Sequence, residues 1–125
     1  MNEGLFLDTN ILMELLFQRS KFELCTEQIS RFKEVFASSL SFHILMYYTE
    51  KEKLDYNNTF DLFQNLSILE LNNEILELAK SIYKGKDFED CLQFATSKAF
   101  GVPQILTMDK GFYKNFSDQS SIILL

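Results

Sequence analysis

The chain has 125 residues, of which 46% are apolar, and a formal net charge of −6 at pH 7. This composition is typical of a folded domain and excludes a disordered chain, and we expect a single domain over residues 1–125. The acidic balance excludes a protein that coats nucleic acid by charge alone, because such binding neutralises phosphates with Lys and Arg.

Cysteine usage and hydropathy indicate a cytoplasmic protein. Cys25 and Cys91 lie far apart, without C-x-x-C spacing and without a signal-peptide pattern beside them. No apolar run approaches the roughly 20 residues that span a bilayer. We therefore expect reduced thiols and no membrane partner.

The first predicted strand ends in an acid. Residues 4–7 are an apolar run without alternation, which is typical of a strand buried on both faces. Residues 9–17 carry the apolar spacing of a one-sided helix, which Asp8 or Thr9 would cap. Asp8 therefore lies where a strand ends and a helix begins, the position where open α/β sheets bind ligands.

The middle of the chain alternates helices with short strands. Ser38, Ser39 and Ser41 are expected to cap one of these helices, and Gly85 fits the stop of the last one. We predict helices over residues 21–33, 40–53 and 58–65, a helix from Asn72 or Asn73 to Tyr83, and strands over residues 35–37 and 68–71.

A second acidic motif opens the next helix. Asp-Phe-Glu-Asp at residues 87–90 begins a helix of clear 3.6-residue period, which Gly101 stops. A fourth strand over residues 104–106 then ends in Thr107 and Asp109, so an apolar run again terminates in a hydroxyl and an acid. Residues 122–125 form the predicted fifth strand.

Strands that alternate with helices predict a parallel sheet with right-handed crossovers and helices on both faces. In that arrangement Asp8 and Asp109 follow the carboxyl ends of their strands, at the same edge of the sheet. Asp90 lies near this edge too, because it is in the first turn of the helix that leads to the fourth strand.

Three carboxylates at one edge repel each other unless a cation lies between them. Mg2+ prefers oxygen ligands and would activate water for attack on a phosphodiester. Each acid also has a structural interpretation. Asp8 would be only a helix cap, Asp109 would cap a short turn over residues 108–112, and Asp87 with Asp90 would form a capping arrangement. A single histidine leaves no competing Ser-His-Asp or Cys-His site.

Three motifs in this order resemble those of the PIN-domain family over essentially the whole chain: Leu-Asp-Thr-Asn at residues 7–10, Asp-Phe-Glu-Asp at residues 87–90, and Thr-Met-Asp-Lys-Gly-Phe at residues 107–112. The resemblance implies an α/β, Rossmann-like three-layer sandwich with a central parallel sheet of four or five strands. It also implies a Mg2+- or Mn2+-dependent endoribonuclease that cleaves single-stranded RNA, of the kind found as small bacterial toxins.

By the same resemblance, Asp8, Asp90 and Asp109 would bind the metal. Asn10 and Thr107 would orient Asp8 and the incoming water or phosphate. The expected partners are an RNA substrate, a cognate antitoxin protein and a second copy of the chain in a homodimer. Phosphotransfer through an aspartyl-phosphate is disfavoured, because Asn10 stands where that chemistry requires a second acid.

The chain departs from the family in one place. Many members carry a further acid early in the helix after strand two, where this chain has Ser-Phe-His-Ile at residues 41–44. His43 is nearest to the expected position, as a ligand, a phosphate contact or a hydrogen-bonded structural residue. Glu89 or Asp87 would supply the missing carboxylate instead. Otherwise the site holds one metal ion, or the protein is a catalytically weak or inactive PIN-like module that binds RNA or a protein.

Overall fold

Strands and helices alternate along the chain in a computed structural model that describes residues 2–125; Met1, which the predicted domain includes, lies outside the described residues. The strands are β1 (Asn2–Leu7), β2 (Phe32–Ser38), β3 (Ser67–Leu69), β4 (Gln104–Thr107) and β5 (Ser121–Leu124). The helices are α1 (Thr9–Phe17), α2 (Phe22–Ile29), α3 (Ser39–Lys51), α4 (Tyr56–Gln64), α5 (Asn73–Ile82), α6 (Phe88–Ala99) and α7 (Lys110–Phe116).

All five strands belong to one parallel sheet in the order β3-β2-β1-β4-β5. The chain builds the sheet outward from β1 through β2 to β3 and then returns to the other side of β1 to add β4 and β5. The order of strands therefore reverses between β1 and β4, and a crevice at such a point is where open α/β sheets bind ligands. The predicted α/β architecture with five parallel strands is confirmed.

Both faces of the sheet are covered, as the continuous apolar run in β1 predicts. Leu5 and Leu7 pack with residues of α1–α4, while Phe6 packs with residues of α5–α7. All three side chains are fully buried. Successive residues of a strand point to opposite faces, so one short strand supplies both halves of the core. No helix within residues 2–125 combines the length and the apolar character needed to cross a bilayer.

Two predicted element boundaries are wrong. The helix predicted over residues 21–33 ends at Ile29, and Phe32 begins β2, because pairing with β1 overrides the helical spacing of the apolar residues. The short turn predicted over residues 108–112 is the start of α7, which continues to Phe116. Phe112 and Phe116, one helical turn apart, are both buried and extend the helix beyond the turn.

Candidate metal centre

Asp8 is fixed at the reversal of strand order by Thr9, the residue that follows it, and by β4. Its backbone N–H donates to the Leu106 carbonyl oxygen at 3.0 Å, and its extended backbone begins α1. Its Oδ1 accepts from the Thr9 N–H at 2.8 Å, and its Oδ2 accepts from the Thr107 hydroxyl at 2.8 Å. The side chain is 2% exposed, so these bonds hold a carboxylate in one orientation at the edge of the sheet.

Asn10 and Thr107, the two predicted positioning residues, both hydrogen-bond Asp8. The Asn10 Nδ2 donates to Asp8 Oδ2 at 3.3 Å and to Thr107 Oγ1 at 3.4 Å. The Asn10 Oδ1 accepts from the Met108 N–H at 3.2 Å, so this one side chain joins the ends of β1 and β4. Because Asn10 and Thr107 hydrogen-bond the same Asp8 oxygen, they restrict rotation of its carboxylate.

Three acids converge at this point. Asp8, Glu89 and Asp90 each present a carboxylate oxygen, and these oxygens all lie within 4.8 Å of one another. Within residues 2–125 the side-chain ion pairs are Arg31–Glu27 and Lys80–Glu77, so no basic side chain neutralises the acids. An oxygen-only donor set of this kind suits a hard divalent cation.

The pKa values of the three clustered acids are raised, as expected for carboxylates that lie close together without a basic partner. Burial is the main cause that raises the pKa of Asp8 to about 6 and that of Asp90 to about 7, and repulsion by Asp109 adds to both. Burial also raises the pKa of Glu89, although a hydrogen bond from the Thr9 side chain opposes it. A bound cation would stabilise the ionised form of all three acids.

A cavity of about 210 Å3 surrounds the acid cluster, and we call it the acid cavity. It is lined by Asp8, Thr9, Asn10, Met13, Ile44, Tyr48, Glu89, Asp90 and Asp109. Asp109 therefore faces the same space as the cluster without belonging to the group of three. Its Oδ1 accepts from the backbone N–H groups of Gly111 at 2.8 Å and Phe112 at 3.3 Å, so it caps α7.

The structure does not bring two of the predicted residues to the acid cavity. His43 is exposed and does not line the cavity, whereas its neighbour Ile44 and Tyr48, one turn later in α3, do. Asp87 is also exposed, has a left-handed backbone (φ 57°) and makes no side-chain capping bond, so the predicted capping arrangement is wrong. The residues of α3 that line the acid cavity, Ile44 and Tyr48, are therefore not acids, and the third carboxylate of the cluster comes from Glu89 of α6.

A buried hydrogen-bond network supports the acid cavity from below, and its centre, Gln93, has no exposed area. The Gln93 Nε2 donates to Thr9 Oγ1 at 2.9 Å and to Ser41 Oγ at 3.0 Å, and its Oε1 accepts from the Ser38 hydroxyl at 2.8 Å. Within the described part of the chain, no buried side-chain nitrogen or oxygen lacks a partner. The network therefore ties α6 to the starts of α1 and α3.

Sequence reasoning missed Gln93 because it lies off the predicted apolar stripe of α6. All residues from Cys91 to Ser97 are buried, since α6 packs between the sheet and α5. A helix buried all round leaves a glutamine no route to water, so its side chain must find internal partners. The signal available in the sequence was a long polar side chain flanked on both sides by apolar residues.

We expect Gln93→Leu to lower the free energy of unfolding by about 1–3 kcal/mol, because it removes three hydrogen bonds to the buried hydroxyl groups of Thr9, Ser38 and Ser41. Urea denaturation measures this change. The matched control is Gln64→Leu, the same substitution at an exposed position of α4, which we expect to change stability by no more than about 0.5 kcal/mol. Equal effects of the two substitutions would show that the network contributes no stability.

Comparison with known proteins agrees with this geometry. The family model described as PIN domain matches residues 5–115. No curated protein sequence matches the chain significantly.

Solved structures with the same fold include chains of toxin–antitoxin systems. A chain of a toxin–antitoxin complex from Klebsiella pneumoniae superposes with a TM-score of 0.76 at 16% identity, over 94% of this chain and 94% of that chain. A chain of VapBC2 from Rickettsia felis, bound to a DNA fragment from its promoter, gives 0.73 at 15% identity, over 97% and 98%. VapC20 from Mycobacterium tuberculosis, described as a sarcin-ricin loop cleaving toxin, gives 0.73 at 12% identity, over 90% and 95%.

Proposed function

The chain belongs to the PIN domain family, whose model matches residues 5–115, and on that basis we propose that it is a Mg2+- or Mn2+-dependent endoribonuclease that cleaves single-stranded RNA. The observation that supports this most strongly is the convergence of Asp8, Glu89 and Asp90, whose carboxylate oxygens lie within 4.8 Å of one another. They meet where the strand order of the sheet reverses, the position at which this class of sheet binds ligands.

The chemistry of the proposed reaction is hydrolysis of a phosphodiester. A divalent cation would lower the pKa of a water molecule and would offset the charge that develops on the phosphate. Asp8, Glu89 and Asp90 would hold that cation, and Asp109, on the wall of the same cavity, would help to hold it or a second one. Water would contribute its oxygen to the new bond to phosphorus, while its proton would pass to the leaving oxygen as the old P–O bond breaks.

Asn10 and Thr107 act in this scheme as positioning residues. Their hydrogen bonds to Asp8 Oδ2, at 3.3 Å and 2.8 Å, keep Oδ1 and Oδ2 of Asp8 in a fixed orientation relative to α6. Outer hydrogen bonds of this kind orient metal ligands in proteins. Thr9 has a similar task, since its backbone N–H bonds Asp8 while its hydroxyl bonds Gln93 of α6.

We further propose that residues 1–125 act as one domain, as the toxin of a cytoplasmic toxin–antitoxin pair. Its partners would be the RNA substrate, an antitoxin protein that restrains it and a second copy of itself in a homodimer. The support is the shared fold with chains of toxin–antitoxin systems from Klebsiella pneumoniae and Rickettsia felis. A small neighbouring reading frame for a DNA-binding antitoxin would support this assignment.

One observation favours a second candidate, a PIN-like module that binds RNA or a protein with little or no catalysis. Ile44 lines the acid cavity from α3, where many family members have an acid. We favour the nuclease because Glu89 brings a third carboxylate to the cluster from α6.

Divalent metal separates the two candidates. At a concentration one hundred times its dissociation constant, Mn2+ should stabilise the folded protein by about 2.7 kcal/mol, which raises the melting temperature by on the order of 10 °C. The same Mn2+ should permit cleavage of fluorescent single-stranded RNA, with a matched duplex RNA cut more slowly and with no cleavage in EDTA. Stabilisation by Mn2+ without cleavage of any RNA would favour the binding module. If Mn2+ neither stabilises the protein nor permits cleavage of RNA, the nuclease is excluded.

A further inference from the structure

The acid cavity lies between two other cavities and shares lining residues with each of them. On the side of α6 and α7 it borders a cavity of about 360 Å3, and Asp90 lines both. On the side of α1 and α3 it borders a cavity of about 600 Å3, and Met13 and Tyr48 line both. The shared residues make the three cavities one groove with the acid cluster at its centre, and we call it the cleavage groove.

Basic side chains line both ends of the cleavage groove. Lys84 and Lys86 line the cavity beside α6 and α7, which we call the lysine cavity. Arg19 lines the cavity at the other end together with Glu52, so the excess of positive charge lies in the lysine cavity. Within residues 2–125 none of these three side chains forms an ion pair with a carboxylate. Arg19 instead lies over the ring of Phe17, 5.1 Å from its centre. Their charges are therefore available to a ligand in the groove.

This distribution of charge suits a chain of phosphates that crosses the acids. The acid cluster alone repels a polyanion, whereas a divalent cation between Asp8, Glu89 and Asp90 would attract one phosphate. The adjacent phosphate of the same strand would then lie against Lys84 and Lys86. Two acids, Asp87 and Asp90, line the lysine cavity together with the two lysines. When the cation neutralises Asp90, only Asp87 offsets the lysines, and a net charge of about +1 remains in the cavity.

The lysine cavity also has room and polar groups for the rest of a nucleotide. Its volume of about 360 Å3 lies in the range of pockets that bind small molecules. The side chains of Asn115 and Gln119 line it beside the apolar Ile82 and Phe116. Amide side chains can donate to and accept from the edges of an unpaired base, and single-stranded RNA exposes those edges.

We propose that the cleavage groove binds one strand of RNA, with the nucleotide next to the scissile phosphate in the lysine cavity and its own phosphate against Lys84 and Lys86. The strand continues past Arg19 at the other end. This proposal deepens the proposed ribonuclease function and rests on it for the position of the scissile phosphate. Because the lysines meet a flanking phosphate, they govern affinity for the strand and not the chemical step.

Salt dependence of binding tests the lysine cavity without any cleavage. The probe is a fluorescent single-stranded RNA of about 12 nucleotides with phosphorothioate linkages that resist cleavage. It is bound to the full chain in saturating Mg2+ at about 50 to 500 mM KCl, where the logarithm of affinity falls by about 0.7 per neutralised phosphate for each tenfold rise in salt. The double variant Lys84→Gln/Lys86→Gln should reduce the slope by about 0.7, because the two lysines neutralise one phosphate, and this corresponds to roughly fivefold weaker binding at about 0.1 M salt.

The matched control is Arg31→Gln/Lys33→Gln, which removes the same charge at the amino end of β2, the edge of the sheet opposite the acids. These residues are exposed and line none of the three cavities, so affinity should stay within about twofold of the parent. An unchanged slope in the lysine variant, or an equal loss in the control, would overturn the proposal. Unaltered melting temperatures would show that both variants fold.

Failure of this proposal and failure of the proposed function give different results. If the protein cleaves RNA in Mn2+ but the double lysine variant binds the probe as well as the parent does, the groove proposal alone is wrong. A protein that cuts no RNA in Mn2+, but loses probe affinity with the lysines and not with the control, would support the groove and remove the nuclease.

Discussion

Replacing Asp8 with Asn is expected to abolish the stabilisation by Mn2+ and to reduce RNA cleavage by at least about a hundredfold, since even residues that only orient metal ligands contribute about 10- to 100-fold. Asp8 is the buried member of the acid cluster and the one that β1 and β4 hold in place. Asparagine keeps its size and an oxygen for the Thr9 N–H, but it removes the charge that a cation needs.

The same substitution should not lower the stability of the metal-free protein at a pH of about 8, and this result separates ligand loss from misfolding. Burial raises the pKa of Asp8 from 3.8 to about 6, so the ionised side chain costs the folded state up to about 3 kcal/mol. The substituted asparagine carries no such charge, although its amide group loses the hydroxyl bond from Thr107. Urea denaturation in EDTA and in Mn2+ measures both effects.

Asp61→Asn is the matched control, since it makes the same chemical change at an exposed acid of α4 that lines none of the three cavities. Its Mn2+ response and its cleavage rate should stay close to those of the parent. A normal Mn2+ response in Asp8→Asn, or a loss of that response in Asp61→Asn, would contradict the assignment of Asp8 as a ligand.

Local pattern was sufficient to place Asp8, because the residues that decide its position are its neighbours. An apolar run followed at once by helical spacing requires a strand that ends at Leu7, and the carboxyl ends of parallel strands share one edge. The same reasoning placed Thr107 and Asp109 at the carboxyl end of the fourth strand, whose last residue is Thr107. Their proximity to Asp8 follows from the pairing of Leu7 with Leu106, which the alternation of strands and helices implies only in outline.

Which residue of a helix faces the site depends on the rotation of the helix, which the sequence left undetermined. One residue changes direction by about 100° around the axis, so His43 and Ile44 point to different surroundings. The apolar residues of α3 include Phe42, Ile44 and Leu45 in near succession, and such a pattern does not define one buried face. The cap at Ser38 sets the start of the helix and brings Ile44 to the acid cavity.

The acid cluster combines Glu89 with Asp90 for a similar reason. These two residues are adjacent in the first turn of α6, and both reach Asp8 because that turn lies beside the carboxyl end of β1. Tertiary packing of the fully buried segment from Cys91 to Ser97 and the Gln93 network set this orientation of α6. No local pattern encodes this orientation, so the sequence placed Asp109 among the metal ligands and kept Glu89 only as an alternative, whereas the cluster contains Glu89 and not Asp109.

A second large effect is expected from pH. In EDTA, the free energy of unfolding should fall by about 3 kcal/mol or more as pH rises from about 4 to about 7.5. Unfolded Asp titrates near 3.8, whereas burial raises the pKa of folded Asp8 to about 6 and that of Asp90 to about 7. Between these values the folded state binds more protons than the unfolded state, so stability is highest on the acid side and is lost as the two acids ionise.

Metal should reverse this dependence. A divalent cation binds the ionised carboxylates and competes with protons, so Mn2+ affinity should rise through the same pH window in which the metal-free protein loses stability. Urea denaturation at several pH values, with EDTA or with saturating Mn2+, measures both curves. Asp8→Asn should flatten the EDTA curve because it removes one of the two groups responsible. A metal-free stability that stays level or rises between pH of about 5 and 7.5 would mean that the acids are already neutralised in the folded protein, and the cluster would then have no electrostatic reason to bind a cation.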